Sequence, residues 1–346
     1  MRETKNKKRV IVAMSGGIDS SVAAALLKEA DFDVIGVFMK LDKLKSSNEE
    51  EKRARTVAKK LAISFQILDL RKEFKEKVIK YFIEEHKKGR TPNPCVICNK
   101  KIKFGLLYKK AMSLGADYIA TGHYARIKIN KAFKLLKGKD ENKDQSYFLW
   151  QLDQKALKRI LFPVGGYTKN EVKNLAKEFK SPVLNIPESQ EICFIQTTVS
   201  NFLKKYLKRK IGKIIDVKGK IIGEHQGLWA YTIGQRKGIK LAGGPFYVLG
   251  KNLKKNLLIV TKKEKDLYKK ELVAEDINWI SGKPPKFPLK IKAKIRYRHK
   301  PALATISKQN NGKIKVIFSK PQRAITSGQS VVFYRNKELV GGGVIC

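Results

Sequence analysis

The stretch from Val10 to Leu27 limits what this chain can fold into more than any other. Five apolar residues, Val10-Ile11-Val12-Ala13-Met14, run into Ser15-Gly16-Gly17-Ile18-Asp19-Ser20-Ser21 and then into Val22-Ala23-Ala24-Ala25-Leu26-Leu27. β-Branched residues favour a strand, a glycine pair a tight loop, and alanine with leucine a helix. A strand, loop and helix in that order collect the free N–H groups of a helix start in one place. That is an anion site, and the glycines let backbone close on a phosphate. Ser15, Ser20 and Ser21 could add hydroxyl donors. Asp19 is read as a carboxylate facing phosphate rather than part of a core.

The rest of the N-terminal half repeats the alternation. Asp33 to Met39 reads as a second strand, Glu49 to Leu61 as a helix, Phe65 to Leu70 as a third strand and Asp117 to Thr121 as a fourth. This pattern predicts a doubly wound parallel sheet with ligands at the carboxyl ends of its strands. Met39 and the Gly122-His123 pair would then lie near the first loop, although a core methionine is an equally good reading of Met39 and, on composition alone, a satisfied turn histidine is the better reading of His123. Thr168-Lys169-Asn170-Glu171 is a capping box opening a further helix.

Between the third and fourth strands lies Thr91-Pro92-Asn93-Pro94-Cys95-Val96-Ile97-Cys98-Asn99. Its prolines predict a stiff loop that holds Cys95 and Cys98 just before a helix from Lys100 to Leu114, where a thiol is biased toward thiolate. A third thiol, Cys193, falls in a strand-like segment flanked by acids. Four cysteines in all, the last being Cys346, are too few for a secreted disulfide framework. No second Cys-x-x-Cys and no His-x3-His supports a zinc site.

From about Lys208 short alternating strands replace the helical pattern, which predicts β domains. Domain limits of 1–207, 208–270 and 271–346 follow. The strand Ile291 to Arg298 alternates apolar inward and basic outward, with Arg296-Tyr297-Arg298 at its end. With 75 Lys+Arg against 31 Asp+Glu the formal charge is +44, which favours a polyanionic partner such as nucleic acid, although lysine spread along the whole chain also suggests compositional bias. The basic N-terminus and short apolar run exclude a signal h-region or membrane span there, so a cytoplasmic protein is expected.

No Gly-Lys pair is followed by Ser or Thr, which rules out a Walker loop. Ser-Gly-Gly-Ile-Asp-Ser instead resembles the pyrophosphate loop of ATP pyrophosphatases, the PP-loop superfamily. Together with Thr-Pro-Asn-Pro-Cys-Val-Ile-Cys-Asn, Thr-Gly-His-Tyr-Ala-Arg, Lys-Asp-Gln-Ser-Tyr-Phe-Leu, Ser-Gln-Glu-Ile-Cys-Phe, Thr-Ile-Gly-Gln-Arg-Lys-Gly, Pro-Gln-Arg-Ala-Ile-Thr and Gly-Gly-Gly-Val-Ile, it makes the chain resemble the tRNA-specific 2-thiouridylase family from Lys8 to Cys346. The resemblance implies an α/β pyrophosphatase domain, a small mostly β central domain and a C-terminal β-barrel gripping the anticodon arm of tRNA. It implies ATP with magnesium held by Ala13, Met14, Ser15, Gly16, Gly17, Ile18, Asp19, Ser20, Met39 and Gly122. Asn93, Pro94 and Cys95 would face the target base. His123, Lys143, Asp144, Gln145, Arg296, Tyr297 and Gln329 would contact tRNA.

By the same resemblance Cys98 is the nucleophile and Cys193 the persulfide carrier, giving a Cys98–Cys193 disulfide that a reductant resets, with sulfur from a cysteine desulfurase or relay protein. Many family members carry Asp where this chain has Cys95. Cys95, Cys98 and Cys193 could therefore ligate a four-iron, four-sulfur cluster instead, and both routes stay open. A small-molecule ATP pyrophosphatase would account for the loop but not for the cysteines or the basic β domains.

Overall fold

The structure is a computed structural model that describes residues 7–42, 45–184, 186 and 192–346. Among the described residues three sheets form. The first contains β1 (Arg9–Ala13), β2 (Asp33–Lys40), β3 (Ser64–Asp69), β4 (Tyr118–Thr121) and β7 (Ile160–Leu161), in the order β3-β2-β1-β4-β7 with every pairing parallel. Val10, Ile11 and Val12 of the central β1 are fully buried, as the unbroken apolar run requires when helices cover both faces. The chain moves outward from β1 to β3 and returns on the other side as β4. The point where strand order reverses therefore lies between β1 and β4, at the carboxyl ends Ala13 and Thr121.

Helix α1 (Ile18–Glu29) follows β1, and α2 (Lys45–Lys60) follows β2. The capping box on Thr168 is present and starts the helix Lys169–Glu178. The cysteine segment departs from expectation. Instead of a loop, Pro94–Cys98 is helical and runs without a break into a π-helical stretch, Asn99–Leu107, and then Tyr108–Ser113. Pro94 occupies the first helical position, where its fixed φ helps and its missing N–H costs nothing.

The second sheet pairs β8 (Gly212–Ile215) with β9 (Ile221–His225), and β10 (Tyr247–Asn252) with β11 (Leu257–Thr261), in the order β10-β11-β8-β9. In the third, β12 (Tyr268–Trp279), β13 (Leu289–Lys294), β14 (Ala302–Lys308), β15 (Ile314–Arg323), β16 (Ser330–Arg335) and β17 (Glu338–Ile345) form a barrel that β12 and β17 close. The hairpin β5 (Ala125–Asn130) and β6 (Ala132–Lys137), which follows β4 in sequence, pairs through Leu135 and Leu136 with β17. That pairing joins the barrel to the parallel-sheet unit. Gly165 packs on the start of this hairpin: a Cβ there would lie 1.6 Å from the Ala125 carbonyl oxygen. Gly165→Ala must push backbone against backbone, and should lower stability by at least about 1–3 kcal/mol in a urea melt.

Candidate functional site at the carboxyl edge of the parallel sheet

The phosphate loop has the expected form with different hydrogen bonding. Gly17 is the N-cap of α1 and no side chain caps the helix, which leaves its first-turn N–H groups for a ligand. Gly16 adopts φ +74° beneath the backbone of Glu50, and Arg53 Nε donates to the Gly16 carbonyl at 3.2 Å. Ser20 and Ser21 do not offer free donors, because both hydroxyls donate to the Gly17 carbonyl, at 3.1 and 2.9 Å. Ser15 is the exposed hydroxyl of the loop. On the neighbouring strand, a Cβ on Gly122 would lie 2.7 Å from the Asp19 carbonyl carbon and 2.8 Å from the Ser20 nitrogen. The turn after β4 therefore presses on the start of α1 and must be glycine.

Asp19 is not simply a carboxylate waiting for phosphate. Its Oδ1 accepts from Lys169 Nζ at 2.6 Å and from the Tyr124 hydroxyl at 2.8 Å, and the Lys169 side chain is only 8% exposed. One carboxylate already engaged in this way does not make a metal cage. Magnesium fits here as an ion that arrives on the phosphates of ATP, which is how magnesium commonly binds.

The thiols gather beside this loop. Cys98 is 8% exposed and packs with Leu70, Phe74, Phe82 and Phe194, a cluster that Met39 and Leu68 also join. Met39, the penultimate residue of β2, thus packs against the cluster that holds the thiol. Cys95 and Cys193 reach solvent but are ringed by protein, the geometry of a recess. Cys193 lies in a turn rather than a strand, and the acidic segment 187–191 before it lies outside the described residues.

The thiolate bias expected at this helix start is reversed. Burial pushes the Cys98 thiol up to about 11, opposed by the charge of Lys103. Burial also raises Cys95, again opposed by Lys103. Cys193 is raised by burial first and then by Cys98 and Cys95, with Lys103 in opposition. The helix begins at Pro94, so Cys98 lies beyond its first turn, where the N-terminal dipole has fallen off and desolvation of a thiolate outweighs it.

Lys103 is the residue that sequence reasoning missed. A π-helical turn brings residues five apart onto one face, so Cys98 and Lys103 are neighbours. Lys103 Nζ lies 3.5 Å from His123 Nε2, and His123 Nδ1 lies 2.7 Å from Thr121 Oγ1. An ammonium only donates, so Nε2 accepts and the ring proton sits on Nδ1, donated to Thr121. Burial, with Lys103 adding to it, holds the His123 pKa well below its ordinary value. His123 is thus a buried neutral imidazole that aims Lys103 at the thiols.

Several residues that the resemblance assigns to tRNA are engaged within the protein. Asp144 is buried and accepts from the Gly138 and Ser146 N–H groups, and Gln145 Oε1 accepts from the Tyr124 N–H. Lys143 is half-buried beside them. The strand expected to reach Arg298 ends at Lys294, which is buried under the rings of Tyr147 and Tyr297 rather than facing outward. Arg296 donates to the Ile233 carbonyl and Thr326 Oγ1, and Tyr297 packs on Phe148 with ring centres 4.5 Å apart. Gln329 Nε2 donates to the Thr91 carbonyl at 2.8 Å.

Family models match along the chain: a tRNA methyl transferase HUP domain over residues 8–197, a tRNA methyl transferase PRC-barrel domain over 200–262 and an aminomethyltransferase beta-barrel domain over 269–345. The tRNA-specific 2-thiouridylase MnmA of Clostridioides difficile (strain 630) is 47% identical, with 98% of each chain covered. The chain belongs to the tRNA-specific 2-thiouridylase family. The family's protein of the same name from Carboxydothermus hydrogenoformans is 45% identical over 98% of each chain, and that of Thermoanaerobacter sp. (strain X514), tRNA-specific 2-thiouridylase MnmA 2, is 47% identical over 97% of each. Among solved structures, the U34-tRNA thiolase NcsA from Methanococcus maripaludis, with its four-iron, four-sulfur cluster, aligns with a TM-score of 0.38 at 19% identity, covering 54% of this chain and 61% of that one. Among the described residues of this family member, no three His, Cys, Asp or Glu side chains are grouped so as to hold a metal ion. The three thiols share an electrostatic neighbourhood.

Two outcomes follow from this geometry. Asp19→Ala removes one partner of the buried Lys169 ammonium and should cost about 1–3 kcal/mol in a urea melt, less than a fully buried pair because Asp19 is one-third exposed. Asp19→Asn, which keeps an acceptor, should cost less. Alkylation of Cys98 should rise with pH to a midpoint well above the ordinary cysteine value of about 8.5. Lys103→Met should move that midpoint higher still, and a midpoint at or below 8.5 would contradict the assignment.

Proposed function

We propose that this chain uses ATP to adenylate the 2-oxygen of the wobble uridine of tRNA and replaces that oxygen with sulfur. The observation that carries the reading is the joining of an uncapped phosphate-binding helix start to a recess of three thiols through Gly122, His123 and Lys103. In this reading residues 1–207 perform the chemistry, while 208–270 and 271–346 hold the tRNA. The parallel sheet, barrel and central β unit agree with the family's proteins, whose names state the activity.

The uridine 2-carbonyl is a poor electrophile and its oxygen a poor leaving group. Attack of that oxygen on the α-phosphorus of ATP forms the O–P bond and expels pyrophosphate toward the N–H groups at the start of α1. Magnesium, when bound with the nucleotide, offsets charge on the departing pyrophosphate. A Cys193 persulfide then adds its terminal sulfur to C2, and AMP leaves with the former 2-oxygen. Cys98 gives up its proton and attacks the inner sulfur, which releases thiouridine and forms the Cys98–Cys193 disulfide. A dithiol reductant supplies two electrons to reset the pair, and a cysteine desulfurase or relay protein reloads Cys193. The proposed route runs through Cys98 and Cys193 alone, since among the described residues no three His, Cys, Asp or Glu side chains are grouped to hold a metal ion. Among the described residues no helix is long and apolar enough to cross a membrane, and the substrate places the reaction in the cytoplasm.

Release of AMP and pyrophosphate should require tRNA and be matched by thiouridine. Pyrophosphate release from ATP with a small amine acceptor alone would instead make the chain a small-molecule synthetase. Protein purified without oxygen, with iron counted, should turn over iron-free when given a persulfide donor, whereas activity that tracks iron content and needs only sulfide would restore the cluster. If the charge of +44 serves about 6–10 phosphate contacts, tRNA affinity should fall roughly 10³–10⁵-fold between about 50 and 200 mM salt.

A further inference from the structure

The segment leading into the thiol helix is held by the other two units of the chain. Thr91 N donates to the Ser327 carbonyl at 2.9 Å, Gln329 Nε2 returns to the Thr91 carbonyl at 2.8 Å, and Thr91 Oγ1 meets Thr232 Oγ1 of the central unit at 3.3 Å. Gly328 has φ +87°, and a Cβ there would stand 3.0 Å from Thr91 backbone atoms. The barrel backbone therefore lies directly against residues 90–92. Its own position is set by β17, since Gly328 N donates to the Ile345 carbonyl and Ile345 N to that of Gln329, each at 2.8 Å.

The next residue, Asn93, carries the unusual feature. Asparagine is among the best helix N-caps, and Asn93 is the N-cap of Pro94–Cys98, yet its side chain makes no capping hydrogen bond. Instead its Nδ2 points to the barrel, donating to Ser330 Oγ at 3.3 Å and to the Tyr147 hydroxyl at 3.2 Å. The Tyr147 hydroxyl donates onward to the Ser330 carbonyl at 2.9 Å, and Trp150 Nε1 donates to Ser330 Oγ at 3.0 Å. Ser330 is 2% exposed, and Tyr147 and Trp150 are fully buried. Two buried hydroxyls, Ser330 Oγ at the start of β16 and that of Tyr147, thus hold an N-cap residue away from its own helix.

We infer that Ser330 is a positioning residue for the reaction: through Asn93 it fixes the base-facing end of the Cys95–Cys98 helix relative to the barrel. The inference rests on the thiouridylase reading. A barrel that holds tRNA also holds the thiols in register with the base, and a small displacement there misaligns sulfur and carbon without weakening the grip on tRNA. Tyr147 shares the grip on Asn93 directly and braces Ser330 through its carbonyl, whereas Trp150 reaches Asn93 only through Ser330 Oγ.

The test compares Ser330→Ala, Trp150→Phe, Asn93→Ala and the Ser330/Asn93 double variant of the full chain, measuring thiouridine formation, tRNA affinity and urea melts. Ser330→Ala should lower kcat about 10–100-fold with tRNA affinity within about twofold of the parent. Trp150→Phe, which removes the other bond to the same hydroxyl, should be destabilised but keep kcat. In the Asn93→Ala background the Ser330 substitution should cost nothing more. An unchanged kcat in Ser330→Ala, or a loss that adds in full to that of Asn93→Ala, overturns the inference alone. Absence of thiouridine with the unsubstituted protein overturns the thiouridylase reading and this inference with it.

Discussion

The contact between Gly122 and the first turn of α1 is the constraint from which the site is built. Parallel pairing of β1 with β4 brings Ala13 opposite Thr121, and the absence of a side chain at Gly122 lets the turn after β4 rest on the Asp19 and Ser20 backbone. His123 follows immediately and is carried inward against Phe104 and Phe162. Its Nε2 then holds Lys103, whose charge faces the three thiols. Phosphate site and sulfur site are connected by consecutive residues and one hydrogen bond, so neither can shift far without the other.

Burial, more than the formal charge of +44, decides the state of the thiols. Lys103 opposes burial at all three cysteines and is outweighed at each. The resting protein therefore keeps its thiols protonated. In the proposed reaction this suits a nucleophile that waits for an activated base, because a thiolate standing open to solvent beside ATP would be alkylated or oxidised between turnovers.

Features written in local chemistry were legible before the fold. The strand, loop and helix around Gly16, the capping box at Thr168 and the parallel order of the first strands follow from periodicity and cap residues, which act over a few positions. Residues whose roles are set by distant partners were not legible. Nothing near Lys103 in sequence reveals that His123 faces it, and a π-helical stretch carries no composition signal. Nothing in the local sequence shows that Arg296 donates to Thr326 or Gln329 to the Thr91 carbonyl. Pro94 was misread because proline both breaks helices and begins them, and only the chain preceding it decides which.

The central claim is that base activation and sulfur delivery occur in one recess, with Cys98 and Cys193 closing on each other as the product leaves. Peptide mapping after a single turnover without reductant tests it most directly. The account predicts a Cys98–Cys193 disulfide in amount equal to the thiouridine formed, with Cys95 still free to alkylate. Thiouridine accumulating while Cys98 and Cys193 both remain separately alkylatable would contradict it.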